Sequence, residues 1–102
     1  MPKSRVFYVL TLKSDVKKKD LKKFLDDEWF PVLRATPGCL EVELLDTYHD
    51  RAGYCVSELW ESREVHIQKS SHLWGNTRKD LYLKREKYAN VEFLWQCIIL
   101  DS

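Results

Sequence analysis

Glycine, proline and cysteine are scarce in this chain of 102 residues, three of each, and neither sign of charge prevails, with 17 Lys+Arg against 16 Asp+Glu. A near-neutral balance argues against a phosphate-backbone partner, which selects a basic surface, so no nucleic acid is expected. The cysteines Cys39, Cys55 and Cys97 are odd in number, widely spaced and set in apolar stretches, with no Cys-x-x-Cys pair. That pattern reads as free thiols of a reducing compartment. No apolar run approaches the roughly 20 residues that cross a bilayer, so no membrane span is expected. No basic-then-apolar leader stands ahead of Arg5, and the expected address is the cytoplasm. Repeats, linkers and low-complexity segments are missing as well, which leaves a single domain over residues 1–102. What the chain does hold is aromatic, four Trp, five Tyr and four Phe. Segments that stay unfolded are poor in such residues, so a packed core is expected.

Residues 5–13 (RVFYVLTLK) are rich in strand formers and apolar on both faces. Ser14-Asp15 can cap a helix, and from Leu21 the positions Leu21, Phe24, Leu25, Trp29, Val32 and Leu33 recur at helical spacing. Pro31 should kink or shorten its last turn before Thr36-Pro37-Gly38 ends it. Residues 39–48 alternate, with Leu40, Val42 and Leu44 on one face and Glu41 and Glu43 on the other. Turn formers at 49–53 lead to a second strand over 54–61, an antiparallel hairpin. Ser62 can cap the next helix, which should stop at Gly75-Asn76. Residues 77–88 are charged and read as a short helix or an extended arm, and 91–100 (VEFLWQCIIL) as a final strand, again apolar on both faces.

Strand, helix, strand, strand, helix, strand is the ferredoxin-like α+β order, βαββαβ, with a four-stranded antiparallel sheet. Two helices cover one face of such a sheet. Phe7 and Val9 nevertheless oppose Tyr8 and Leu10, while Phe93, Trp95 and Ile99 oppose Leu94, Ile98 and Leu100. A second copy of the sheet is the simplest cover for the other face, so a homodimer is expected.

Thr36-Pro37-Gly38-Cys39 after an amphipathic helix, followed by a hairpin ending Glu58-Leu59-Trp60-Glu61-Ser62-Arg63-Glu64, resembles the antibiotic biosynthesis monooxygenase family of dimeric α+β barrels. The likeness runs from residue 6 to residue 100. Members of that family include cofactor-independent oxygenases of quinone-type or polyphenolic substrates and haem-degrading enzymes, and others have no assigned activity. The resemblance implies a pocket between sheet and helices in each subunit, near the strand-ending Trp60 and the second helix over residues 65–76. Haem-degrading members place an Asn on the first strand, a Trp nine residues after the strand-ending Trp, and a His beyond. Here residues 5–13 hold no Asn, the ninth position is Lys69, and no His follows His72. Haem degradation by that trio is therefore not expected, and neither haem nor any other cofactor is called for. Other members carry a His where Lys69 stands.

Several side chains have a chemical and a structural reading side by side. Trp60 shares a strand face with Tyr54, Val56 and Glu58, so it can stack on a planar substrate, worth roughly 0.5–1.5 kcal/mol beyond burial, or simply fill the core. Successive helical residues rotate by about 100°, which puts Val65 and Leu73 on one stripe facing the sheet and Ile67 and Trp74 on another. His66, beside Leu73, reaches the pocket margin as a general base for an acidic phenol, or is a partly exposed histidine without chemistry. His66 and His72 lie about 240° apart, His49 sits in a turn, and no metal site is expected. Glu58, flanked by Val56 and Trp60, is a buried acid or base, or one half of a salt bridge across the dimer barrel to Arg5, Lys13 or a lysine of the partner copy. Tyr8 can also reach the pocket. The run Lys17 to Lys23 reads as a solvated helix face paired with Asp26-Asp27-Glu28. From residue 63 to residue 87 there are seven basic and three acidic residues, which suits a weakly acidic ligand.

Taken together these residues point to a homodimer with one pocket per subunit for a small, flat, aromatic or quinol-type molecule. As an enzyme it would be a cofactor-independent monooxygenase. His66 takes the substrate proton, Trp60 positions the ring, Lys69 stabilises the developing negative charge, and Tyr8, Glu58, His72, Trp74 and Asn76 contact the ligand. The alternative is a noncatalytic dimeric binding or sensing protein of the same fold.

Overall fold

A computed structural model describes residues 2–46, 53–72 and 78–100, with the side chains of His72 and Phe93 left aside. Strand β1 (Ser4–Leu12) lies between β3 (Gly53–Trp60) and β4 (Ala89–Ile98), and β2 (Cys39–Asp46) pairs with the outer side of β3. All three pairings are antiparallel. The order β2-β3-β1-β4 is the split βαβ arrangement expected from the sequence. Helices α1 (Lys18–Phe24), α2 (Phe30–Arg34) and α3 (Arg63–His72) occupy the two crossovers, and α4 (Lys79–Tyr88) precedes β4.

The first crossover departs from the helical spacing in an informative way. Ser14-Asp15 does not cap it: Asp15 adopts φ +67 in a turn, Val16 N–H bonds Lys13 O, and α1 begins at Lys18 with no side-chain cap. Between α1 and α2 the backbone opens into a π-helical stretch, Leu25–Trp29, in which Phe30 N–H bonds Leu25 O five residues back. Pro31, at the start of α2, has no N–H to give and its ring would crowd the carbonyl of Asp27 in a regular helix. The extra residue in the turn relieves that conflict and resets the phase. Phe30 thereby joins Leu21, Phe24, Leu25, Trp29 and Leu33 in the core, whereas Val32 is only half-buried.

On the sheet, Val6, Tyr8 and Leu10 of β1 and Val56, Glu58 and Trp60 of β3 face the helices and are buried. Two bulges adjust the edge strands. One takes Leu40 out of the alternation, so Glu41 stands opposite Leu59 and Leu40 is 47% exposed, correcting the placement of Leu40 beside Val42. The other, at Glu92, brings Val91 opposite Leu10. Gly38, at φ +96, ends the first crossover: its carbonyl accepts from Glu61 N–H, and a Cβ there would run into Val65 Cγ1.

Ser62 caps α3 as expected, its hydroxyl accepting from Val65 N–H at 3.2 Å. The buried stripe of that helix is a different one from the sequence expectation. Ser62, His66 and Ser70, four residues apart, face inward, while Val65 is half-buried against Gly38 and Ile67 is exposed. Of the charged stretch 77–88, Lys79–Tyr88 takes the helical reading, with Leu81 and Arg85 on the buried side of α4. Phe24 stacks on Tyr88 at 5.1 Å, which ties α4 to α1. The turn at 49–52, the stop at Gly75-Asn76, and Leu73 lie outside the described residues. Among the described residues, no helix is long and apolar enough to cross a membrane.

Candidate functional site

The register of β1 and β3 places Tyr8 opposite Val56 and Val6 opposite Glu58, so Tyr8 and Glu58 are diagonal neighbours on the helix-facing side. The Tyr8 hydroxyl donates to Glu58 Oε2 at 2.6 Å, and Trp60, two residues along the same face, donates from Nε1 to Oε1 at 2.9 Å. Trp29 reaches down from the π-helical stretch and donates from Nε1 to the Tyr8 hydroxyl at 3.0 Å. All four side chains are buried. Within the chain Glu58 is therefore held by two hydrogen bonds to its own sheet, while Arg5 donates to Ser57 Oγ at 2.9 Å.

Beside this network lies a cavity of about 120 Å³ between sheet and helices. Val6, Tyr8 and Glu58 form its floor, His66 of α3 and Tyr82 and Arg85 of α4 its sides, and Val91, Leu94 and Gln96 of β4 its edge. His66 is 4% exposed, and its ring sits 5.3 Å from that of Trp60. Arg85 is 3% exposed, with its guanidinium 4.5 Å from the Tyr82 ring, 4.7 Å from Trp29 and 5.9 Å from Tyr8.

Burial decides the protonation of these groups. It lowers the His66 pKa below the ordinary 6.5, so the imidazole is neutral and basic at neutral pH. Burial raises Glu58 above its ordinary 4.5, partly offset by the hydrogen bonds from Tyr8 and Trp60 and by the Arg85 charge. Tyr8 is pushed well above 10.0, by burial first and then by the Glu58 charge. Its hydroxyl thus stays protonated and bound to the carboxylate.

Of the residues singled out in the sequence, the structure brings His66, Glu58 and Tyr8 into one cavity wall. Trp60 is 0% exposed and touches the cavity only through Glu58 and His66. Lys69, half-buried on α3, is not among the lining residues. The His72 side chain, Trp74 and Asn76 lie outside the described residues. Arg85, Tyr82, Gln96 and Trp29 were missed. For Arg85 a signal exists: Leu81, Tyr82, Tyr88 and Ala89 recur at helical spacing, and Arg85 falls in the middle of that stripe. Among the described residues, no group of three or more His, Cys, Asp and Glu side chains could hold a metal ion.

No protein-family model and no curated protein sequence matches the chain. Solved structures do. SnoaB, a cofactor-independent oxygenase from Streptomyces nogalater, superposes with a TM-score of 0.80 at 9% identity, covering 100% of this chain and 97% of that one. A candidate antibiotic biosynthesis monooxygenase from Bordetella bronchiseptica gives 0.76 at 13% identity over 98% of this chain and 99% of that chain. Another, from Chloroflexus aurantiacus J-10-fl, gives 0.72 at 14% identity, covering 98% of this chain and 95% of that chain. At such identities the likeness is one of fold. The chain has the ferredoxin-like α+β fold of the antibiotic biosynthesis monooxygenase-like proteins.

Proposed function

We propose that this protein is a cofactor-independent monooxygenase of a small phenol or quinol, bound in the cavity between sheet and helices. The observation that carries this reading is the neutral, buried imidazole of His66 facing the same small cavity as the Arg85 cation. The cavity, at about 120 Å³, is somewhat smaller than the apolar cavity of about 150 Å³ that takes up benzene, which limits a ligand to one ring and leaves its substituents at the open β4 edge. The likeness of fold to SnoaB, an oxygenase that works without a cofactor, agrees with it.

The chemistry follows from the wall. His66 takes the phenolic proton and leaves an electron-rich phenolate in a space poor in water. Arg85, in the role the sequence offered to Lys69, sets a positive potential there. The phenolate gives up an electron to dioxygen, and the resulting pair combines at a ring carbon that bears hydrogen, para to the oxygen in a phenol and ortho to it in a quinol, to form a C–O bond. Loss of the ring hydrogen and of the outer oxygen, which takes the proton back from His66, leaves a quinone and water. One phenol and one O2 thus yield one quinone and one water. Oxygen uptake with a panel of monocyclic phenols and quinols tests the reading. Uptake by the wild type and its loss in His66→Ala is expected; no uptake with any of them would remove the oxygenase and favour a binding or sensing protein.

The same reading includes a homodimer. Phe7, Val9 and Cys55, with Trp95 at 66% exposure, line a shallow apolar groove of about 260 Å³ on the sheet face away from the helices. An exposed patch of this kind, continuous across three strands, favours a second copy of the sheet as its cover. A monomer by light scattering at micromolar concentration would refute it.

A further inference from the structure

The polar groups of the cavity wall are unevenly satisfied. Trp29, Trp60 and Tyr8 have each committed their one donor hydrogen, and both oxygens of Glu58 are taken. Arg85 is the exception. It is 3% exposed, yet its Nε has no hydrogen-bond partner among the described residues. Among the described residues its one ion pair is a long one, Nη2 to Glu86 Oε1 at 3.3 Å, and the Glu86 side chain is itself 38% exposed. Glu58, on the same wall, makes no ion pair with it among the described residues. The rings of Tyr82 and Trp29 at 4.5 and 4.7 Å hold the guanidinium in place and attract it, but they supply no acceptor oxygen.

Arg85 shares its charge with Glu86 and with the nearby Glu58 carboxylate, but its buried Nε–H has no acceptor among the described residues, and such a donor normally meets one. The planar guanidinium fork matches a carboxylate in two parallel hydrogen bonds. The neutral His66 ring, which lines the same cavity, can accept a proton or a hydrogen bond, which fits a phenolic hydroxyl. The cavity's volume of about 120 Å³ limits the ligand to one ring. We infer that the cavity is built for a monocyclic phenol that also carries a carboxylate, with Arg85 receiving the carboxylate and His66 facing the phenol end. This rests on the proposed function for the role of the phenol, but the carboxylate subsite is a matter of binding alone.

Titration calorimetry of the full chain at neutral pH tests it with meta-hydroxybenzoate, its methyl ester and phenol, all of which keep a hydrogen on the carbon para to the hydroxyl. The acid is expected to bind about tenfold or more tighter than the ester, the difference between a charge-assisted and a neutral hydrogen bond. That preference should disappear in Arg85→Met, which keeps an unbranched apolar stem between Tyr82 and Trp29. Equal affinity for acid and ester in the wild type overturns the inference, as does binding of neither, or a preference for the acid that survives Arg85→Met. If circular dichroism shows that Arg85→Met does not fold, the wild-type comparison of acid with ester decides by itself. Oxygen uptake measured on the same ligands separates the two readings. An acid that binds tightly but consumes no oxygen removes the oxygenase and leaves the carboxylate subsite. Turnover of phenol and ester with the same KM as the acid removes the subsite and leaves the oxygenase.

Discussion

Replacing Tyr8 by Phe removes a single oxygen from the middle of a buried chain of hydrogen bonds. The ring itself, buried at the centre of β1, keeps its packing. Two partners lose theirs: Trp29 Nε1–H, which donates to the hydroxyl at 3.0 Å, and Glu58 Oε2, which accepts from it at 2.6 Å. A buried donor left unsatisfied costs roughly 1–3 kcal/mol, and a hydrogen bond to a charged group contributes roughly 1.5–3 kcal/mol. Because both losses act through one atom they do not add fully, and about 3 kcal/mol is expected, a large fraction of a small domain's stability. The loss should also depend on pH. The Tyr8 hydroxyl is one of the groups that hold the Glu58 pKa down against burial, so its removal raises that pKa further above 4.5. A carboxyl with a raised folded pKa binds a proton in the native state where the unfolded chain has lost it, so native stability falls as pH rises through that window. Urea unfolding followed by tryptophan fluorescence, at one protein concentration, should show a smaller penalty at about pH 5 than at about pH 7.5. A penalty under about 1 kcal/mol, or one equal at the two pH values, would refute the description of Tyr8, Glu58 and Trp29 as one network.

Other consequences are as direct. His66, with its pKa lowered by burial, should place the midpoint of the acid-side loss of kcat/KM for a phenol below the ordinary histidine value of 6.5; a midpoint above it would contradict a buried neutral base. The same shift has a stability counterpart, since the unfolded histidine takes up its proton near 6.5 before the folded one does, so this contribution is complete above 6.5 and is lost as pH falls. Gly38→Ala should destabilise by more than about 1 kcal/mol in thermal unfolding, because the position needs φ +96 and a Cβ meets Val65; a neutral substitution would mean the turn can be rebuilt at no cost. Trp95→Glu, at a 66% exposed site, should leave folding intact by circular dichroism and shift light scattering from dimer to monomer. An unchanged dimer would place the interface elsewhere.

How much of the site could be read in advance varied with how locally each residue is controlled. Glu58 and Trp60 are two residues apart on a strand, so their shared face follows from the pleat alone. Tyr8 came into view through the same periodicity. His66 was found for a different reason from the one that buries it: a regular apolar stripe through Val65 was expected, but the inward stripe is Ser62, His66 and Ser70, too polar to register as a core pattern. Arg85 escaped because a charged helix reads as a solvated one when each residue is judged by its own polarity. What buries it is the ring of Trp29, drawn from a segment more than fifty residues earlier in the chain.

The amino-acid order alone determined the succession of strands and helices, the ferredoxin-like fold, the Ser62 cap and the turn at Gly38, because periodicity, capping and positive φ are local properties of neighbouring residues. The tertiary structure alone decided the π-helical turn that seats Phe30, the bulges at Leu40 and Glu92, and the meeting of Tyr8, Glu58, His66 and Arg85 around one cavity. Those outcomes depend on strand register and on which ring packs over which charge. Such contacts join residues that are distant in sequence, and no short window of the chain contains both partners.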